Sequence, residues 1–135
     1  MSRSLDHLDP RMRDLTRAFL DRCVDQGLDL LVTCTYRSPE EQRELYRIGR
    51  DLPGKKVTWA QPGESLHNAE DADGHPASRA VDVVPLRLGK PVWGTKGDDL
   101  VLWQRVGAIG KSVGLEWAGD WVKFKELCHF QVKPP

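Results

Sequence analysis

The stretch SLHNAEDADGHPASRAVDVVPL, residues 65–86, carries two histidines and three aspartates, and a further ELCHF near residue 130 places Glu126 three residues before His129. Imidazole and carboxylate are the side chains that bind zinc, and a catalytic zinc site takes three of them and leaves a fourth position open. A carboxylate beside that open position is suited to moving a proton. An isolated E-x-x-H spacing arises often by chance, so its companions decide its meaning.

Each candidate also has a plainer reading. His67 suits an ordinary loop histidine, and His129, between Cys128 and Phe130, suits a core histidine satisfied by a backbone carbonyl. Asp82 sits inside the apolar run AVDVVP, where a carboxylate needs a compensating charge, either a metal or an arginine. His75 is a rival ligand eight residues after His67, in an acidic stretch with no strand pattern. Asp71, Asp73 and Gly74 have the start of a calcium loop without its bidentate glutamate, which suits a solvated loop. His7 reads as a solvated residue near the N-terminus. Arg37 pairs equally well with Glu40 or Glu41 at the surface, and Trp59, Trp117 and Trp121 suit either a substrate groove or the core. Strand alternation turns Cys128 away from any ion held by His129.

The elements that must bring these residues together are legible in outline. Asp9 and Pro10 open a helix that ends near Gly27, with Leu8, Met12, Leu15 and Phe19 on its apolar face. LDLLVTCTYR follows as a strand. Ser38 and Glu41 have capping-box spacing and predict a helix over 39–48, beginning beside Arg37. Residues 50–78 read as a long irregular connection. SRAVDVVPL reads as a strand and LRLGKPVW as a turn into a second. Asp98 or Asp99 caps a helix with Leu102, Val106, Ile109 and Val113 inside and Gly114 as its stop. LEWAGDWVKF and CHFQV predict two final strands. The order suits an α+β domain, helices packed on a small antiparallel sheet.

Of 135 residues, 39% are hydrophobic and 30% charged, with 20 basic against 20 acidic side chains. One domain over residues 1–135 is expected, with no field favouring nucleic acid and no apolar run for membrane insertion. The polar start MSRSLDHLDPRMRD lacks a signal-peptide core, so a cytoplasmic location is expected unless another factor releases the protein. Three cysteines without C-x-x-C spacing indicate neither a disulfide framework nor a zinc ribbon. No G-x-G-x-x-G or P-loop pattern supports nucleotide binding.

TYRSPEEQRELYRIGR, VTWAQPGESLHN, RAVDVVPL, GLEWAGDW and ELCHFQ, in that order, resemble the zinc peptidases that include D-alanyl-D-alanine carboxypeptidases and the L-alanyl-D-glutamate endopeptidases of phage endolysins. The resemblance runs from about Thr35 to Gln131 and is best with the endolysin branch. It implies a hedgehog/DD-peptidase-like fold and His67, Asp82 and His129 as ligands of Zn2+. It also implies Glu126 as the general base and Arg37 as the cation that stabilises the oxyanion. The implied substrate is the peptide stem of peptidoglycan, cut between L-alanine and D-glutamate by a monomeric phage or prophage lysis enzyme. A D-alanyl-D-alanine carboxypeptidase or dipeptidase, or a wall-binding domain that holds zinc without cleaving, are the alternatives. Where relatives place about six residues between histidine and aspartate, His67 and Asp82 enclose fourteen, so the acidic segment 69–77 reads as an insertion. Ser78 replaces a common glycine, Glu126 the usual aspartate and Cys128 the usual proline.

Overall fold

The computed structural model describes residues 1–132. Helix α1 (Pro10–Asp25) is capped by the Asp9 carboxylate, which accepts from the backbone N–H groups of Arg11 and Met12. Its inward stripe is Met12, Thr16, Phe19 and Cys23, all buried, and Gly27 supplies the left-handed turn that ends it. Strand β1 (Asp29–Cys34) follows. Helix α2 (Pro39–Arg47) starts with the full capping box: Ser38 Oγ accepts from Glu41 N and the Glu41 carboxylate accepts from Ser38 N.

Strand β2 (Ala80–Arg87) is the centre of the sheet, whose order is β1-β2-β5-β4, with β4 at Glu116–Trp117 and β5 at His129–Gln131. All pairings are antiparallel. The short β3 (Lys90–Pro91) continues along the β5 side of β2, because Leu86 pairs with Asp29 on one edge and Pro91 on the other. Helix α3 (Asp98–Ser112) packs with α1 against this sheet. Phe19, Val81, Val83, Trp103, Val106 and Phe130 fill the layer between them. The result is the expected α+β arrangement.

Several local expectations change. Neither Asp98 nor Asp99 caps α3; Gly97 holds the N-cap position without a side-chain bond, and Asp99 instead accepts from the Arg87 guanidinium at 2.9 Å. The expected strand over LEWAGDWVKF keeps only Glu116–Trp117, after which Ala118–Asp120 turns as a 3₁₀ segment. The β1 strand stops at Cys34 after a register irregularity between Val32 and Cys34. The long connection contains a 3₁₀ turn at Leu66–Asn68, so His67 stands on ordered backbone. His7 is half-buried, its Nδ1 2.6 Å from Ser2 Oγ and its ring edge-on to Tyr36.

The acidic segment leaves and re-enters at one point. Ala77 N–H donates to Ala69 O at 2.9 Å, Glu70 bridges Pro76, and Arg79 N–H then donates to Leu66 O. The loop between closes on itself, with Asp71 Oδ1 accepting from Asp73 N and His75 N. Closure of this kind leaves the flanking backbone where a shorter connection would hold it.

Candidate metal centre

The sheet register builds the site. Cys34 on β1 and His129 on β5 are the direct cross-strand partners of Asp82 on β2, and direct partners in neighbouring strands project on one face. Asp82 alternates with Val81 and Val83, which are fully buried in the helix-packed layer. The 3₁₀ turn at residues 66–68 lays His67 over this row. Ser65 Oγ accepts from His67 N, Arg37 N–H donates to His67 O at 3.0 Å, and Asn68 Nδ2 donates to Arg37 O at 2.8 Å. These bonds tie the turn to the chain just after β1.

Asp82 Oδ1 lies 3.2 Å from His67 Nε2 and 3.1 Å from His129 Nδ1. The far nitrogen of each ring faces a carbonyl oxygen, His67 Nδ1 at 2.8 Å from Thr35 O and His129 Nε2 at 2.8 Å from Gln131 Oε1. A carbonyl oxygen can only accept, so the far nitrogen of each ring carries an N–H, and the near nitrogens face the carboxylate, where each can offer a lone pair to a metal ion once it is deprotonated. Groups gathered this closely hold together around positive charge, either a proton on an imidazole or a metal ion that displaces it. Two ligands held at about 2.0–2.1 Å from one tetrahedral zinc stand about 3.3 Å apart, close to the 3.2 and 3.1 Å that separate the two imidazoles from Asp82 Oδ1. The residues present therefore fit a zinc ion, and their supporting hydrogen bonds are those that orient metal-bound imidazoles.

Electrostatics agree. Burial opposes charge on His67, but the facing Asp82 carboxylate outweighs it and holds the imidazole pKa above its ordinary value. Burial likewise opposes charge on Asp82, and the two imidazoles overcome it, so its carboxyl titrates below the usual range. The cluster is a pre-built pocket for positive charge.

Glu126 stands at the open side. Its side chain is 45% exposed and Oε2 lies 3.9 Å from His129 Nδ1. Partial burial raises its pKa above that of an ordinary glutamate, against the pull of His129. Arg37 faces the cluster, Nη2 lying 3.9 Å from Asp82 Oδ2, and pairs with neither Glu40 nor Glu41. A groove of about 770 Å³ runs over these residues, flanked by Leu45, Trp59, Trp121 and Phe124. Trp117 belongs to the core, whereas Trp59 meets Phe124 across the groove with ring centroids 5.4 Å apart.

His75 lies outside this cluster, 75% exposed in its side chain and facing Asp71. Cys128 corrects the expectation from strand alternation. It belongs to the turn before β5, where alternation does not apply, and its sulfur lies within 4.8 Å of ligand atoms of Asp82 and Glu126. Burial and the neighbouring carboxylates raise the pKa of its thiol, which keeps it neutral. Three further residues escaped the sequence reading. Fully buried Gln42 accepts from Arg37 Nη1 at 2.8 Å and donates to Thr58 Oγ1 and Ala60 O. Gln131 orients His129, and Cys34 adds a sulfur 3.7 Å from His67 Nδ1. Gln131 was accessible from its i+2 spacing to His129 on a strand; Gln42 had only the inward face of a short helix to signal it.

A small antiparallel sheet presenting two histidines, an aspartate and a nearby glutamate in a groove is the framework of a metallopeptidase. The family model described as D-alanyl-D-alanine carboxypeptidase matches residues 65–132, and the chain belongs to that peptidase family. The peptidoglycan L-alanyl-D-glutamate endopeptidase CwlK of Bacillus subtilis is 33% identical over 132 residues, covering 94% of this chain and 74% of that protein. Among solved structures, the L-Ala D-Glu endopeptidase ChiX of Serratia marcescens superposes with a TM-score of 0.66 at 21% identity, over 98% of this chain and 87% of the other. VanYB in complex with D-Alanine-D-Alanine gives 0.63 at 17% identity, over 92% and 70%. These two share the fold. The chain is thus an enzyme of this peptidase family.

Proposed function

We propose that this enzyme is a zinc peptidase that cuts the peptide stem of peptidoglycan between L-alanine and D-glutamate, with residues 1–135 forming one catalytic domain. The observation that carries the reading is the convergence of two imidazole nitrogens on Asp82 Oδ1, with Glu126 and Arg37 at the groove side. The choice of bond is supported by the identity to CwlK over nearly the whole chain.

His67, Asp82 and His129 would hold the zinc, which supplies Lewis acidity toward water and the scissile carbonyl. The Glu126 carboxylate takes the proton of the attacking water and delivers it to the departing amine. Its raised pKa makes it a stronger base than an ordinary glutamate and a competent acid once protonated. The Arg37 guanidinium, fixed by Gln42, meets the negative charge that develops on the carbonyl oxygen. Leu45, Trp59 and Trp121 flank an extended peptide along the groove and exclude water from one side.

Metal analysis of the purified protein and mass spectrometry of digested muropeptides test this reading together. One zinc per chain, a new D-glutamyl amine, and loss of both products and not of metal in Glu126→Ala are expected. A free terminal D-alanine would instead establish the carboxypeptidase reading, which the family model and the VanYB likeness favour. Zinc without any cleavage would favour the wall-binding alternative over catalysis. The resemblance to endolysins supports a role in phage or prophage lysis. Co-expression with a membrane-permeabilising protein should then clear a culture that either protein alone leaves intact. No helix among the described residues is long and apolar enough to cross a membrane.

A further inference from the structure

A second cavity of about 700 Å³ lies behind the turn that carries Glu126. Leu127 and Cys128 line it, and Cys128 also lines the metal groove, so one turn of chain separates the two. Its floor is Trp117, whose Nε1 donates to Leu127 O at 2.8 Å. Its outer wall is Trp93, 57% exposed, set 6.4 Å from the buried Trp103 ring. The Trp93 segment is held by Trp103 Nε1, which donates to Gly94 O at 3.0 Å, and Gly94 packs against the Asp99 carboxylate. Gln104 and the Lys111–Asp120 ion pair, 2.8 Å apart, add hydrogen-bonding groups around the apolar wall.

We propose that this cavity binds an N-acetylated amino sugar of the glycan strand, stacked on Trp93. The inference rests on the stem-peptide reading above. A flat exposed indole ringed by amide and ionic hydrogen-bonding groups suits a pyranose, whose faces carry C–H bonds and whose rim carries hydroxyls and an acetamido group. Adjacency supplies the second argument. In peptidoglycan L-alanine is joined directly to the lactyl group of the sugar, so the L-alanyl–D-glutamate amide lies one residue from the saccharide, about 3.6 Å of extended chain. A terminal D-alanyl bond lies four residues away, about 14 Å. A sugar site reached over the turn at Leu127–Cys128 lies nearer the first bond than the second. Seated there, the sugar would touch the turn whose other side presents Glu126.

The test compares the zinc-loaded enzyme on a disaccharide tetrapeptide and on the same tetrapeptide without sugar, alongside titration with chitobiose followed by indole emission. Wild type should favour the glycosylated substrate in kcat/KM by about tenfold or more, Trp93→Ala should erase that preference while leaving the free peptide unchanged, and chitobiose should quench emission only when Trp93 is present. Gln104→Ala, also at an exposed position, should reduce the preference in the same direction. Equal rates of wild type on both substrates, or an unaltered preference in Trp93→Ala, overturns the sugar site and leaves the peptidase reading standing. If wild type cleaves neither substrate, the peptidase reading fails and chitobiose decides: Trp93-dependent quenching upholds the site, and no quenching ends it.

Discussion

Asp82 and His129 are direct partners across the β2–β5 ladder, and the same oxygen that meets His129 Nδ1 also meets His67 Nε2 from a turn fifteen residues earlier in the chain. The sheet fixes two of the three groups, and only the third depends on a loop. Asp82→Asn keeps the shape and removes the charge that balances a divalent ion. Metal titration should show zinc affinity reduced by more than about 100-fold, whereas Gln131→Ala, which loses only the bond orienting His129, should fall within about 10–100-fold. Equal affinity of Asp82→Asn and wild type would remove Asp82 from the ligand set.

Gln42 gives Arg37 its direction. A buried amide that accepts from Arg37 and donates twice into the irregular Thr58–Ala60 segment of the groove wall has both its donors in use. Gln42→Leu should destabilise the fold by about 1–3 kcal/mol through the partners it strands. If Arg37 acts on the developing oxyanion, kcat should fall by about 10²-fold or more with KM little changed, as when a charge-stabilising donor is removed. Gln42→Glu, which can still accept from Arg37, should recover part of kcat. A change confined to KM would place Arg37 in ground-state binding instead.

Local physics made most of the frame legible before any coordinates. The Asp9–Pro10 start of α1, the Ser38–Glu41 box of α2 and the Gly114 stop after α3 are each decided by a few neighbouring atoms. That His67, Asp82, His129, Glu126 and Arg37 form one group was legible only through the family resemblance, which carries information about pairing that periodicity lacks. What stayed hidden depends on contacts distant in sequence. The Cys34–Asp82 pairing needs the β1 irregularity, Gln42 shows its role only when the 58–60 segment folds back on it, and Cys128 precedes a strand whose start the sequence does not mark. Asp98 and Asp99 have capping chemistry, yet Arg87 on the neighbouring strand claims Asp99.

The self-closed acidic loop touches the rest of the molecule through Tyr36, whose hydroxyl donates to Glu70 at 2.6 Å. Burial, that hydrogen bond and nearby carboxylates push the phenol up to about 12. The sign follows from linkage: the folded state binds this proton more tightly than the unfolded chain, so the stabilisation is full below about 10 and is lost as pH rises through the folded value. Alkaline titration by phenolate absorbance should show one late tyrosine that Tyr36→Phe removes and Glu70→Gln brings earlier. Wild type should also lose more stability than Tyr36→Phe between pH 9 and 12, values that bracket the two states.

Phe130 links the core to the site. It precedes Gln131 and follows His129 on β5, and its ring is held between Phe19 and Trp117 with centroids 4.6 and 6.4 Å away. The α3 backbone approaches this ring so closely at Gly110 that a Cβ there would overlap it. Gly110→Ala gains about 1 kcal/mol of helix propensity, but inserting a methyl into a packed contact costs about 1–3 kcal/mol. The overlap here is with a ring already confined on both sides, so the cost should win and unfolding should move to lower temperature. Because displacement of Phe130 carries His129 with it, zinc affinity should fall in the same variant although no ligand is altered. A Gly110→Ala protein that is more stable, with unchanged metal affinity, would show that β5 is not held in place by α3.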